Sequence, residues 1–474
     1  MGLDTPGFTF VTPDEAAGDR TVRLPAGQYA VESSFFTENE PYTLIAAPGV
    51  QLKGQRLMVF DERETAPVTV TAPSRKAEPF VHILDYQIVT EDSGFSSTTF
   101  LGNTSPIYYG ATLKPIPPSF QSSLHSEWLD SSTTPSSFYS AAWLSHDSLV
   151  KGPVKSIPTR KTAVVKASYA ASLGTTDLIN DLSIAAVLPG STGWSSAAVT
   201  GPLPLERTEY YYSEDPGVRW LNELWMHDED YTNSMIIGWV PREYRAGRSY
   251  TSRWNRPLFS MFLAEETMLG STASRAGDTI ILTPSMYADS DHHAGYVANE
   301  SHIVLFRDGA KLAESLYDSA AFDVPPEPGK YRVELDHAQS LFQLTSKQRV
   351  VWEFESQHVA TGEERLPLLA ISFNPALDER GQAPRVSHFC LPLSVSQFGR
   401  KEAPSVHDVS LEVSFDDGAT WAGAQMEHND KGWQASFDHP RQGDFVSLRA
   451  RTHDAQGNSV EQTVIRAYGL AAQR

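Results

Sequence analysis

The sequence has 474 residues, 40% of them hydrophobic and 11% aromatic, which is ample for packed interiors and too much for one core. Its 38 basic and 58 acidic residues give a net charge of −20, a field that disfavours nucleic acid and insertion into or docking on an anionic membrane. No apolar run approaches the roughly 20 residues of a membrane helix, and the single cysteine, Cys390, excludes an internal disulfide or a thiolate cluster.

Taken in chain order, the residues read as an all-β protein, several β-sandwich domains in series. Thr21 to Val31 is strand, turn, strand, with Pro25 and Gly27 closing the corner, and Tyr42 to Ala46 and Pro67 to Thr71 add strands. This first unit, 1–76, has a Leu-Pro-Ala-Gly-Gln-Tyr corner similar to that of transthyretin-like regulatory sandwiches. A β-rich middle domain is expected over 77–270. Leu84, Tyr86 and Ile88 alternate as a strand does, the Ser/Thr/Pro-rich run from Thr90 to Ser145 favours loops and short edge strands, and Thr176 to Ala185 has the pattern of one short helix. A third unit, 271–403, is marked by alternating Tyr331, Val333 and Leu335 and by Val350, Trp352 and Phe354. Within it Cys390 reads as a buried apolar position. The last unit, 404–474, alternates Leu411, Val413 and Phe415, then Val446, Leu448 and Ala450, around the Asp416-Asp417-Gly418 turn, as an immunoglobulin-like sandwich would.

Three groups of residues are candidates for chemistry. Asp289, Asp291, His293 and Glu300 crowd oxygen and nitrogen ligands into a short stretch; the oxygens suit calcium, and no other cofactor is expected. Trp220, Trp225, Trp239 and Trp254 lie close in sequence and would stack on sugar rings if they shared a surface, or fill a core if they did not. Ser414 to Trp421 fits the Asp-box pattern Ser-x-Asp-x-Gly-x-Thr-Trp, a hairpin-corner device in which the aspartate accepts backbone N–H bonds while tryptophan packs beneath.

The phrases Val446 to Arg451, Asp454 to Asn458 and Gln462 to Gly469 closely resemble the C-terminal end of large secreted subtilisin-like serine peptidases of actinobacteria. Leu411 to Trp421, Ala294-Gly295-Tyr296, Leu305 to Gly309, Tyr331 to Leu335, Glu209 to Tyr212 and Asp215 to Trp220 are similar to the same region in the same order. The resemblance covers most of this chain, but only the part of those enzymes that follows the protease domain. It implies an extracellular accessory region, cut from a longer precursor, that stabilises or positions a subtilisin-like protease domain or its substrate, with that domain as partner in the same precursor or in trans. His292-His293-Ala294-Gly295 has a passing likeness to the family's histidine motif. No Gly-Thr-Ser-Met-Ala motif follows it, Gly270 to Ala273 being the nearest match, so no catalytic residue is expected here. The alternative from a different class is a stand-alone extracellular module binding carbohydrate or cell-wall polysaccharide through the tryptophans.

Overall fold

The computed structural model describes residues 1–4, 21–35, 41–89, 94–102, 107–150, 154–172, 178–190, 194–238, 240–264, 272–297, 300–429 and 432–472. The described chain is all-β, its only helical segments being the one-turn Glu62–Glu64 and Thr159–Lys161.

The N-terminal half is a stack of three sheets. A five-stranded sheet runs in the order Gly27–Phe35, Thr43–Leu52, Ile107–Thr112, Ala66–Thr71, Val154–Ser156. Beside it lies a seven-stranded sheet ordered Ser249–Trp254, Ala163–Tyr169, Leu205–Ser213, Ser136–Ser145, Phe120–Asp130, Glu78–Val89, Gly94–Leu101. A second five-stranded sheet follows, ordered Ala198–Thr200, Ile179–Val187, Arg219–His227, Ser234–Gly238, Ala294–Val297. The middle sheet is buried on both faces, because side chains alternate along its strands. Leu124, Trp128, Tyr139 and Trp143 pack with Leu44, Val68 and Val70 of the first sheet. Phe138, Ala142, Val165 and Tyr211 pack with Ile184 and Trp220 of the third.

The C-terminal half is organised by one large sheet. Ala310–Ser315, Glu300–Arg307, Gly329–Ala338 and Lys347–Ser356 continue into Ser459–Leu470, Phe445–Asp454, Val406–Ser414 and Ala422–Gly423. One end faces the sheet Ala320–Asp323, Thr279–Leu282, Ala273–Gly277, Val359–Arg365, and the other faces Leu369–Phe373, Phe389–Gln397, Gly432–Phe437, Gln425–Asn429; a single apolar core runs through both. The alternation seen in the sequence is the burial pattern: Val333, Leu335, Trp352, Val446, Leu448 and Ala450 are fully enclosed.

Four expectations are corrected. The boundary at 76/77 is crossed where Thr43 pairs Tyr109 and Thr69 pairs Val154, that at 270/271 where Met235 pairs Val297, and that at 403/404 where Lys347 pairs Ile465. A strand edge carries backbone donors and acceptors that need partners, and here strands distant in sequence supply them. Of the expected short helix Thr176 to Ala185, the first two residues lie outside the described ones, and the rest enters the strand Ile179–Val187, whose Leu182 and Ile184 point inward at period two. The Ser-rich run is loop and edge strand only in part: Gly94–Leu101 is an edge strand, but Phe120–Asp130 and Ser136–Ser145 are central strands. Their serines are tolerated inside because they find partners, Ser126 Oγ beside His82 Nδ1 at 2.8 Å and Ser140 Oγ beside His125 Nε2 at 2.7 Å. Cys390 is half-buried, on the side of its strand opposite the enclosed Phe389 and Leu391.

Candidate functional site

The most chemically organised place in the molecule forms where the seven-stranded sheet meets the turn 289–293. That turn links the strands Ser285–Ala288 and Ala294–Val297 and winds around the Asp289 carboxylate. Asp289 accepts the N–H groups of Asn255 at 3.1 Å, Asp291 at 3.1 Å and His293 at 3.0 Å, and His293 Nδ1 at 3.0 and 3.1 Å. Two non-glycine residues flank it in the left-handed region, Asn255 at φ 57° and His292 at φ 62°. Such conformations persist only where surrounding bonds fix them, and here the shared carboxylate does so. Gly295 follows because nothing larger fits: a Cβ there would lie 2.1 Å from the Tyr287 carbonyl oxygen.

His293 donates Nδ1–H to Asp289 and lies flat on Trp254, ring centroids 3.7 Å apart and planes 6° from parallel. Its Nε2, the acceptor in this tautomer, is buried and has no partner among the described residues. It lines a cavity of about 10 Å³ together with Trp220, Asn222, Gly238, Val240, Arg242, Tyr244 and Trp254.

A second buried carboxylate, Glu209, stands behind Asn222. Glu209 accepts from Arg207 Nε and Nη2 at 3.0 and 2.7 Å, from the Tyr169 hydroxyl at 2.7 Å and from the Tyr211 hydroxyl at 2.6 Å. Burial first, and the Glu209 charge second, push both phenols well above their ordinary range, so they stay donors. Asn222 Nδ2 donates to the Tyr211 hydroxyl, and Asn222 Oδ1 is buried without a partner among the described residues. Close by in the same layer is Glu127, fully enclosed, with neither carboxyl oxygen hydrogen-bonded among the described residues. Burial drives its carboxyl well above the usual range, with Arg207 only partly opposing, and burial drives His125 down to about 3. Their atoms approach to 3.5 Å, yet both shifts favour the neutral forms, so this is not an ion pair.

The residues expected to form sites are distributed differently. Among the described residues no three histidine, cysteine, aspartate or glutamate side chains are grouped to hold a metal ion. Asp289 and His293 engage each other, Asp291 is bidentate to Arg253 at 2.7 and 2.9 Å, and Glu300 is exposed on the strand Glu300–Arg307. The carboxylates of Asp289 and Asp291 are engaged by backbone amides and an arginine, the arrangement with which a calcium ion would have to compete. Trp220 and Trp254 are enclosed core rings, at 2% and 3% exposure, whereas Trp225 faces solvent at 38%, so no flat aromatic platform joins them; Trp239 lies outside the described residues.

The Asp-box is a corner. Asp416 accepts Thr420 N–H and hydroxyl at 2.9 and 2.6 Å and the Ser414 hydroxyl at 2.7 Å, which together hold its carboxyl down to about 2, while Trp421 stacks under Arg449. The sequence did not reveal the Glu209, Tyr211 and Asn222 wall. The available signal was a carboxylate and a tyrosine two residues apart on an otherwise inward-facing strand.

Neither a family model nor a curated protein matches the sequence. Among solved structures, a chain described as the N-terminal four Ig domains of Dscam1 isoform 9.44, with zinc, aligns at 8% identity over 86% of this chain and 100% of that one. Its TM-score is 0.13, too low to carry any inference.

Proposed function

We propose that this chain is a non-catalytic accessory region of a secreted subtilisin-like serine peptidase, stabilising or positioning the protease domain or its substrate. The observation that supports it is the state of its best-oriented histidine. His293 has an aspartate behind it, as a general base requires, but it lies buried beneath Trp254 and faces only about 10 Å³ of space. Neither a peptide carbonyl nor a sugar ring fits there. Glu209, the other hydrogen-bonded carboxylate of this interior, is taken up by Arg207, Tyr169 and Tyr211, which suits a stiff support. The partner rests on the sequence resemblance alone.

The test has two arms. A fluorophosphonate probe is expected to leave the purified chain unlabelled, since among the described residues no serine bonds His293 Nε2; labelling at a serine would overturn the non-catalytic role. The source genome is expected to encode a protease domain with a Gly-Thr-Ser-Met-Ala motif in the same reading frame or beside it. That domain should melt at higher temperature with this chain present; an unchanged melt and no association would remove the accessory role.

A further inference from the structure

The cavity between the two carboxylate-anchored walls presents hydrogen-bonding groups of fixed sense. Asp289 takes the Nδ1 proton of His293, and in the neutral ring Nε2 then offers a lone pair. Tyr211 takes the amide N–H of Asn222, so Oδ1 also accepts. Trp254 Nε1 can only donate. All three atoms are buried, lack partners among the described residues, and belong to side chains lining the same space. A buried polar atom left bare costs about as much as a lost hydrogen bond, and each normally has a partner.

We infer that this cavity is a built binding site for one water molecule, which donates to His293 Nε2 and Asn222 Oδ1 and accepts from Trp254 Nε1. Two acceptors and one donor are the complement of water's own groups. An alcohol has one proton to give, an ammonium ion cannot accept from the indole, and a metal cation is repelled by that N–H. The volume of about 10 Å³ is what a single water needs. Gly238 keeps the space from closing, since it sits at φ +147° and a Cβ there would lie 2.2 Å from the Asn222 carbonyl oxygen. The water adds a link between two networks, Arg207, Glu209, Tyr211 and Asn222 on the sheets and the Asp289 turn, beside the one that Asn255 makes by bonding both Asp289 and Ala170. It serves as a pin between the stacked sheets and the turn leading into the C-terminal half.

The experiment is a crystal structure of the full chain, with anomalous data, alongside melting curves of the wild type and Asn222→Leu. One oxygen peak within about 3.2 Å of all three atoms is expected, without anomalous signal. Asn222→Leu should lose the peak and melt lower by roughly 2–4 °C. An empty cavity, an anomalous peak, or a second contact that satisfies Nε2 from the protein itself would each overturn the site. Because the wild-type density decides the matter, a variant that fails to fold leaves the test intact.

Discussion

At the scale of the residue, buried titratable groups set how stability depends on pH. Burial lowers His82 to about 4, His125 to about 3 and His337 to about 4. The unfolded chain takes up these protons near pH 6.5, so below that pH it binds more protons than the folded protein. Stability should therefore be complete above about pH 6.5 and fall as pH drops towards 4, by up to about 1.4 kcal/mol per pH unit per histidine. Glu127 acts in the opposite direction. Its folded carboxyl holds a proton that the unfolded chain releases above the ordinary carboxylate pKa, so its contribution is full at low pH and lost as pH rises. Glu127→Gln keeps the shape without the charge. It should raise stability at pH 8 by about 1–3 kcal/mol and change little at pH 4.5. Urea titrations at the two pH values measure this, and an equal effect at both would refute the neutral carboxyl. Calcium, by contrast, should leave the melting temperature unchanged at millimolar concentration, since Asp289 and Asp291 already have their partners.

At the scale of the element, the strand Ala294–Val297 is held between two others at a distance only glycine allows. Gly295 pairs Ile237, and Ser285 Oγ both accepts its N–H at 2.7 Å and donates to its carbonyl at 2.9 Å. Gly295→Ala places a methyl 2.1 Å from the Tyr287 oxygen and 2.9 Å from its carbon, both backbone atoms that can move only if a strand moves. We expect a loss of about 3 kcal/mol or more by denaturant unfolding. Gly94→Ala, where an added Cβ meets nothing within 4 Å, should change stability by less than about 0.5 kcal/mol; equal effects would show that the close approach is not the cause. These two glycines look alike in sequence. Strands whose inner face is purely apolar, such as Tyr331 to Leu335 and Val446 to Ala450, were legible because period two survives in the side chains. Phe120–Asp130 was not, since one of its two buried faces carries Ser123, His125 and Glu127, which imitate a loop until their partners across the sheet are known. The candidate site was half legible: Asp289 and His293 stood out as neighbours, but Asn222, Glu209 and Trp254 reach them only through pairing.

At the scale of the whole molecule, the sheets tie together segments that the sequence separates. Lys347–Ser356 pairs Ser459–Leu470 over seven residues, from Lys347 with Ile465 to Glu353 with Ser459. The layer facing the last strands is also supplied from upstream, by Leu369–Phe373 and Phe389–Gln397. Residues 404–474 by themselves therefore lack both a neighbouring strand and half of their cover. Leu411, Val413, Leu448 and Val464, all within 3% of full enclosure, would face water, at about 1.5–3 kcal/mol each. That loss is comparable to the whole stability of a domain. The outer face of the large sheet offers little in return. Its arginines are matched to carboxylates, Arg349 with Glu334 and Asp336, Arg451 with Glu412 and Glu461, and such surface pairs contribute roughly 0–1 kcal/mol. The fragment 404–474 should accordingly be unfolded or aggregated in isolation, with collapsed amide dispersion in its nuclear magnetic resonance spectrum. Calorimetry of the full chain should show no separate transition for these residues, and their amide hydrogens should exchange together with those of 300–356. A well-dispersed spectrum from 404–474 alone would mean that the shared sheet is not what holds the C-terminal half together.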